Sequence, residues 1–345
     1  MRPNDDRLDS VARLARVSLD DGLRHEADGQ VDAAAVAYQA AWQQAELVGN
    51  RRVESEALRR LAVIRHHENR HFDATSMLLQ SQSAAASIPA PELVAEALNA
   101  LAGVHIDRGE LNDATRVLGE ARLAAAGQPR LGAKIELNLG IVASVRGTLD
   151  VAIGHFGRSL EAFSVDGDDR GRAVTYNNLG LVCLRRESWE EADLYFGKAL
   201  GLAETVADLR LQGICHLNRA EVMLGQRRHD LARESVDLAR SFFHRIGSAA
   251  EEADAYHLAG RIYHSLGRHQ MAKTLLGTAV ELAQRSHAAL CEAESCRDLA
   301  EVCGDAGRPD QRYQYLARAK ELFARLAATI ELSRVTRRIA ELTAG

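Results

Sequence analysis

Residues 173–204 read AVTYNNLGLVCLRRESWEEADLYFGKALGLAE, and the fold of the whole chain follows from them. In the first half, Leu179, Gly180 and Cys183 recur at helical spacing and mark one face. Glu187-Ser188-Trp189 interrupts the pattern and reads as a turn. In the second half, Ala192, Phe196 and Ala199 face back toward the first helix. Glu190 and Glu191 fall in the first turn of that helix, where its dipole favours negative charge. The stretch therefore predicts a helical hairpin. Gly180 is expected to be small because the second helix crosses closely over it.

Working outward, the same unit recurs. Gly29, Asn69, Gly109, Gly147, Glu187, Arg227, Gly267 and Gly307 stand about forty residues apart, with one step of thirty-eight. Seven residues before each is Gly22, Ala62, Ala102, Gly140, Gly180, Ala220, Gly260 or Ala300. Five after each is an alanine, from Ala34 to Ala272, except Arg312 in the last unit. The aromatic anchor Phe196 recurs as Tyr38, Leu78, Leu118, Phe156, Val236, Leu276 and Leu316. Self-similarity at this period signals stacked repeats, each unable to bury its apolar face alone. A solenoid of this kind offers a long concave surface in place of a single reaction pocket.

Composition agrees. Among 345 residues only 5% are aromatic, and much of the apolar content is alanine, which suits closely packed helices. Of the five prolines, none falls in a predicted helix interior, where proline costs about 3 kcal/mol. The net charge of −5 is dispersed and forms no basic stripe, so no nucleic-acid partner is expected. No apolar run reaches the length of a membrane span, and the first residues lack the apolar core of a signal peptide, so neither membrane association nor secretion is expected. The odd count of five cysteines, without paired or zinc-type spacing, reads as reduced, buried thiols in a cytoplasmic protein. No P-loop, GxSxG or HExxH pattern occurs, so the expectations are no enzyme, no cofactor and no metal.

Eight units in register resemble the tetratricopeptide repeat along nearly the whole chain. They are longer than the usual repeat of about 34 residues. The extra residues extend the second helix, where Ala45, Ala85, Ala125, Phe163, Ala203, Phe243, Ala283 and Phe323 continue the buried stripe. Such long units look like those of kinesin light chains, of the Leu-Gly-Asn-repeat adaptor of spindle orientation and of bacterial Rap-type peptide receptors. The resemblance implies an all-α, right-handed superhelix of eight hairpins. Repeats are expected to start near residues 15, 55, 95, 133, 173, 213, 253 and 293, with a capping helix in 333–345. Asp21 and Arg219 stand where Leu is usual.

The resemblance also implies that the first helices line the concave groove. The ends of that lining are charged. Its middle is apolar, through Leu137, Ile141, Val145, Val174, Leu181, Leu184, Ile214, Leu217 and Leu224. This row is either buried between neighbouring first helices or left open for an apolar segment or a second copy of the chain. Asn138, Asn178 and Asn218 occupy one place in three successive repeats, with Asn99 and Asn177 a residue earlier. An amide both donates and accepts, so it can pair with peptide backbone or with the neighbouring helix. In the kinesin and spindle-adaptor relatives an Asn at this place contacts peptide, and the resemblance implies the same here. Arg185 is grouped with this surface. His257, Arg261 and His264 share one helical face and could hold a carboxylate or phosphate, or form a solvated charged face. His66, His67 and His71 sit at a helix end and are expected to be exposed.

The functional expectation is a non-catalytic scaffold that binds a peptide segment of another protein. The alternative is a regulator that senses a small signalling peptide; it would need an added effector module, for which the repeats leave little room. Alanine and arginine richness points to a bacterial source.

Overall fold

A computed structural model describes residues 3–326 and 328–344. It contains seventeen helices, and no strand occurs among the described residues. They pair as eight antiparallel hairpins: α1 (Pro3–Ala27) with α2 (Val31–Val48), α3 (Arg51–His67) with α4 (His71–Ala86), α5 (Pro91–Asp107) with α6 (Leu111–Ala124), α7 (Pro129–Val145) with α8 (Leu149–Asp166), α9 (Asp169–Arg185) with α10 (Trp189–Thr205), α11 (Leu209–Gly225) with α12 (His229–Arg245), α13 (Ala249–Ser265) with α14 (His269–Arg285), and α15 (Ala289–Asp305) with α16 (Pro309–Arg325). A final helix, α17 (Thr329–Ala344), packs on α16. The fold class is the expected α-solenoid. From α3 to α15 the first helices begin about four residues ahead of the repeat starts read from the sequence, and α17 begins ahead of residue 333. Prolines 91, 129 and 309 take the first helical position, where the missing N–H is not needed.

The chain divides into two compact units, Met1–Gly171 and Arg172–Gly345. In the first, α1, α3, α5 and α7 touch one another in succession as well as their own partners. In the second, α11, α13 and α15 do the same. Within each unit the second helices make no comparable contact with one another among the described residues. Within each unit the first helices therefore lie on the inner side of the stack. No helix among the described residues is long and apolar enough to cross a membrane.

The forty-residue signal marks a backbone conformation. All eight repeated turn residues have positive φ, including the three that are not glycine: Asn69 at 60°, Glu187 at 57° and Arg227 at 60°. This left-handed residue closes the end of each first helix. In the fifth repeat, Glu187 donates its N–H to the Leu184 carbonyl at 3.0 Å, and Ser188 donates to the Cys183 carbonyl at 3.0 Å. A second series with positive φ joins successive hairpins, at Gly49, Gly127, Gly167, Ala207, Gly247 and His287.

Each hairpin is locked by one crossing. A Cβ built on Gly22 would lie 2.4 Å from the Tyr38 ring, and one on Gly140 would lie 2.4 Å from Phe156. On Gly180 it would lie 2.5 Å from Phe196, and on Gly260 2.5 Å from the Leu276 side chain. Where the first helix carries alanine instead, the anchor is aliphatic: Ala62 with Leu78, Ala102 with Leu118, Ala220 with Val236, Ala300 with Leu316. All eight anchors are at most 1% exposed. Small meets large, and the sum of the two volumes is nearly constant. The one mixed pair is Gly260 with Leu276. The neighbouring alanines are fully buried, and where serine replaces alanine the hydroxyl is satisfied. Ser55 and Ser81 each donate to the other's backbone carbonyl, at 2.9 and 2.7 Å. Ser159 donates to the Ala133 carbonyl at 2.9 Å.

Two stability measurements follow. Replacing Gly180 with Ala should overpack the ring of Phe196 and cost about 1–3 kcal/mol by chemical denaturation. Adding Phe196→Leu recreates the Ala–Leu pairing of the second, third and eighth repeats and should recover part of that loss; simple additivity would mean that the pair is not complementary. Ala207→Gly should stabilise the chain by about 0.5–1 kcal/mol, because glycine relieves the left-handed strain at a modest entropic cost in the unfolded state.

Candidate functional site on the first helices

The inner face of each unit is built from the flanks of its first helices. In the second unit the apolar row is half-buried. Leu181 and Leu184 pack partly against Cys183, Phe196 and Val222. Ile214, Leu217 and Leu224 pack partly against the cluster around Val236 and Phe243. In the first unit, Leu137 and Ile141 are half-buried and Val145 is 47% exposed. The row is therefore partly covered. Neighbouring first helices cover one side of these residues, and the other side meets solvent.

The asparagines form cross-links between repeats. In the first unit Asn138 Nδ2 donates to Asn99 Oδ1 at 2.9 Å. In the second, Asn218 Nδ2 donates to Asn177 Oδ1 at 2.8 Å. Asn177 is buried, with Cys215 also against its oxygen. Asn178 turns back along its own helix and donates to the Val174 carbonyl at 2.9 Å. These bonds go to neighbouring or own helices, one of the two partners open to them in the sequence. Each amide has four hydrogen-bonding positions, so one cross-link orients the group without exhausting it.

The charged face is equally engaged. His257 is 8% exposed, and its Nε2 lies 2.7 Å from Asp298 Oδ2 on the next first helix. Arg261 Nη1 donates to Glu221 Oε2 at 2.8 Å on the preceding one. His264 Nε2 lies 2.8 Å from Asp305 Oδ2. The first unit repeats the scheme with Arg59 and Glu96 at 2.8 Å and His66 and Asp107 at 3.0 Å. Apart from the largely buried His257–Asp298 pair, these partly exposed pairs contribute about 0–1 kcal/mol each, so their main effect is to fix register between repeats. Arg185 is exposed at the end of α9. His66 and His71 depart from expectation: both are half-buried, with their Nδ1 atoms 3.1 Å apart, while His67 is exposed. The helical period gives the helix end but not the inward turn of these rings across the hairpin.

Burial governs the titrating groups. Burial by itself would raise the pKa of Asp298, but hydrogen bonds from His257 and Arg297 outweigh it and hold the carboxyl well below its usual range. Burial pushes Cys215 and Cys296 up to about 12. It also raises Cys183, Cys291 and Cys303. All five thiols are buried and unpaired, as expected from their spacing. A thiol that remains protonated is a poor nucleophile.

Comparison with known proteins fits this architecture. Tetratricopeptide-repeat family models match residues 133–205 and 253–286. No curated protein sequence matches the chain. Among solved structures, a Rap protein complexed with Competence and Sporulation Factor superimposes with a TM-score of 0.67 at 11% identity, over 95% of this chain and 97% of that one. The apo form of RapI gives 0.60 at 15% identity, over 79% of this chain and 98% of that one. A signal transduction ATPase with numerous domains from Pyrococcus horikoshii, which has a tetratricopeptide-repeat sensor, gives 0.61 at 16% identity, over 96% of this chain and 50% of that one.

Two measurements check the electrostatics. The depressed pKa of Asp298 means that the unfolded state takes up its proton first. Its contribution to stability is therefore complete above about pH 4, near the ordinary carboxylate value, and is lost as pH falls through the folded value. Asp298→Asn should lower the stability at neutral pH and flatten the acid limb of the curve of stability against pH; an unchanged limb would show that the carboxylate is not held as described. A disulfide-exchange reagent at pH 8 should titrate no thiol in the native protein and all five after denaturation.

Proposed function

We propose that this tetratricopeptide-repeat protein is a non-catalytic interaction scaffold that binds an extended segment of another protein along its first helices. The observation that carries the reading is the half-buried row of Leu181, Leu184, Ile214, Leu217 and Leu224 in the second unit. One side of each chain is packed and held in place. The other side is available to an apolar side chain, at little further cost in order. Asn178 and Asn218 lie on the same helices and have amide capacity left for a peptide main chain, while Asn138 serves the equivalent place in the first unit. His257, Arg261 and His264 are held in ion pairs, and together with Arg185 they supply charge beside the row. Their effect falls on association rate and salt dependence more than on affinity.

A second reading is a regulator that senses a small signalling peptide by the same face. The length-for-length overlap with the Rap protein bound to Competence and Sporulation Factor supports it as a precedent of fold. The two readings differ in what binding does to the stack. Small-angle scattering with and without a selected peptide separates them: a scaffold keeps its radius of gyration, and a sensor contracts.

The test uses peptides selected on the wild-type protein from a random display library. Filling the row with one large apolar side chain contributes about 1.5–3 kcal/mol. An amide-to-backbone bond contributes about 0.5–1.5 kcal/mol. Leu181→Asp or Leu217→Asp should therefore weaken a selected peptide about tenfold or more, and Asn178→Ala with Asn218→Ala by a smaller factor, by fluorescence anisotropy. Added salt should weaken binding only modestly. Affinity that survives Leu181→Asp and Leu217→Asp in a folded protein would place the site elsewhere and remove this reading.

A further inference from the structure

Three donor side chains from three helices meet at the seventh hairpin turn. His264 lies in the last turn of α13, His269 begins α14, and Asp305 ends α15. One ligand atom from each lies within 4.8 Å of the other two. Asp305 is already seated against His264, with Oδ2 2.8 Å from Nε2. The two imidazole rings are tilted at 60° with centroids 5.7 Å apart. The sequence pairs His264 with His257, seven residues up the same helix, and that pair cannot reach one ion alone. The turn supplies the second histidine instead.

A second observation points to a ligand. His269 Nδ1 is buried and has no hydrogen-bond partner among the described residues. A buried polar atom left unsatisfied costs about 1–3 kcal/mol, and native structures rarely keep one without a reason. A cation shared with the neighbouring carboxylate and imidazole would accept a lone pair from this ring and give the buried imidazole a partner.

The chain contains its own control. The same three residue types stand five repeats earlier, at His66, His71 and Asp107. There His66 Nδ1 faces His71 Nδ1 at 3.1 Å, while His66 Nε2 faces Asp107 Oδ2 at 3.0 Å. His71 and Asp107 thus lie on opposite edges of one ring, and the three form a hydrogen-bonded chain with no common centre. The nitrogen of His71 that corresponds to the orphan in the seventh repeat has found a partner. Identical residues at identical repeat positions are satisfied in one place and left convergent in the other.

The geometry points to a divalent transition-metal site formed by His264, His269 and Asp305. Two imidazoles and one carboxylate suit Zn²⁺, Co²⁺ or Ni²⁺, whereas Mg²⁺ and Ca²⁺ require oxygen ligands. The exposed position of Asp305 leaves the remaining coordination to solvent or to a partner's side chain. The ion would tie α13, α14 and α15 together at the edge of the stack, joining the seventh repeat to the eighth. The site shares His264 with the charged flank of the proposed peptide face but includes none of the apolar row, and its test needs no peptide.

The test is titration of the full-length, reduced chain with Zn²⁺ by calorimetry and with Co²⁺ by visible absorption. Wild type should bind one ion at this site, with Co²⁺ showing ligand-field bands of nitrogen and oxygen donors and no thiolate charge-transfer band. His269→Ala and Asp305→Asn should each weaken Zn²⁺ at least about tenfold, and His71→Ala should leave it unchanged. Asp305→Glu should retain the spectrum more than Asp305→Asn. Circular dichroism of each variant confirms that it is folded. Zn²⁺ binding that is absent in wild type, that persists in a folded His269→Ala, Asp305→Asn double variant, or that falls equally in His71→Ala would overturn the assignment.

Discussion

Every hairpin depends on one close crossing, where a small residue of the first helix receives the anchor of the second. The anchor is fully buried, and a Cβ at the glycine positions would fall within its ring or branch. That approach sets the distance between the helices. It thereby brings the alanines on either side into contact and leaves no room for alternative rotamers in the core. The pairing of glycine with aromatic and alanine with aliphatic anchors, with Gly260 and Leu276 as the mixed case, keeps the spacing steady while the sequence varies. Because the spacing is steady, residues forty apart meet their counterparts on the next first helix. The Asn–Asn and His–Asp cross-links are possible for that reason. The apolar row and the histidine turns are further products of the same regularity.

The fold was legible because its determinants are local and repeat. The period, the small crossing position, the anchor and the turn all lie within one forty-residue unit, and eight copies reinforce one another. The meaning of the turn position was less plain. Its glycines suggest a small residue, yet Asn69, Glu187 and Arg227 hold the same left-handed backbone, so the constraint is on φ and not on size. The first helices from α3 onward begin about one turn ahead of the repeat starts, since the apolar stripe begins about one turn after the helix itself.

The candidate site was legible only in outline. The sequence shows which face Leu181, Asn178 and His257 share, because helical spacing is enough for that. It does not show where an amide or imidazole points once a neighbouring repeat offers a partner. Asn177 and Asn218 illustrate the limit, since they are one register place apart but bond across the repeat boundary. His264 illustrates it again, with partners on the next helix and the next repeat. Pairwise side-chain geometry across a boundary is tertiary information, and no single unit encodes it.

Within each unit, among the described residues, the helices contact their near neighbours along the chain. Low separation between contacting residues favours fast folding, because little loop entropy must be lost before contacts form. It also suits assembly during synthesis. A hairpin that has left the ribosome holds most of the residues that it will ever touch. The next hairpin then docks on a surface already formed, and the growing stack exposes only its newest edge. The same holds for α17, whose Val335, Leu332 and Ile339 dock on the apolar edge that the eighth hairpin has already formed.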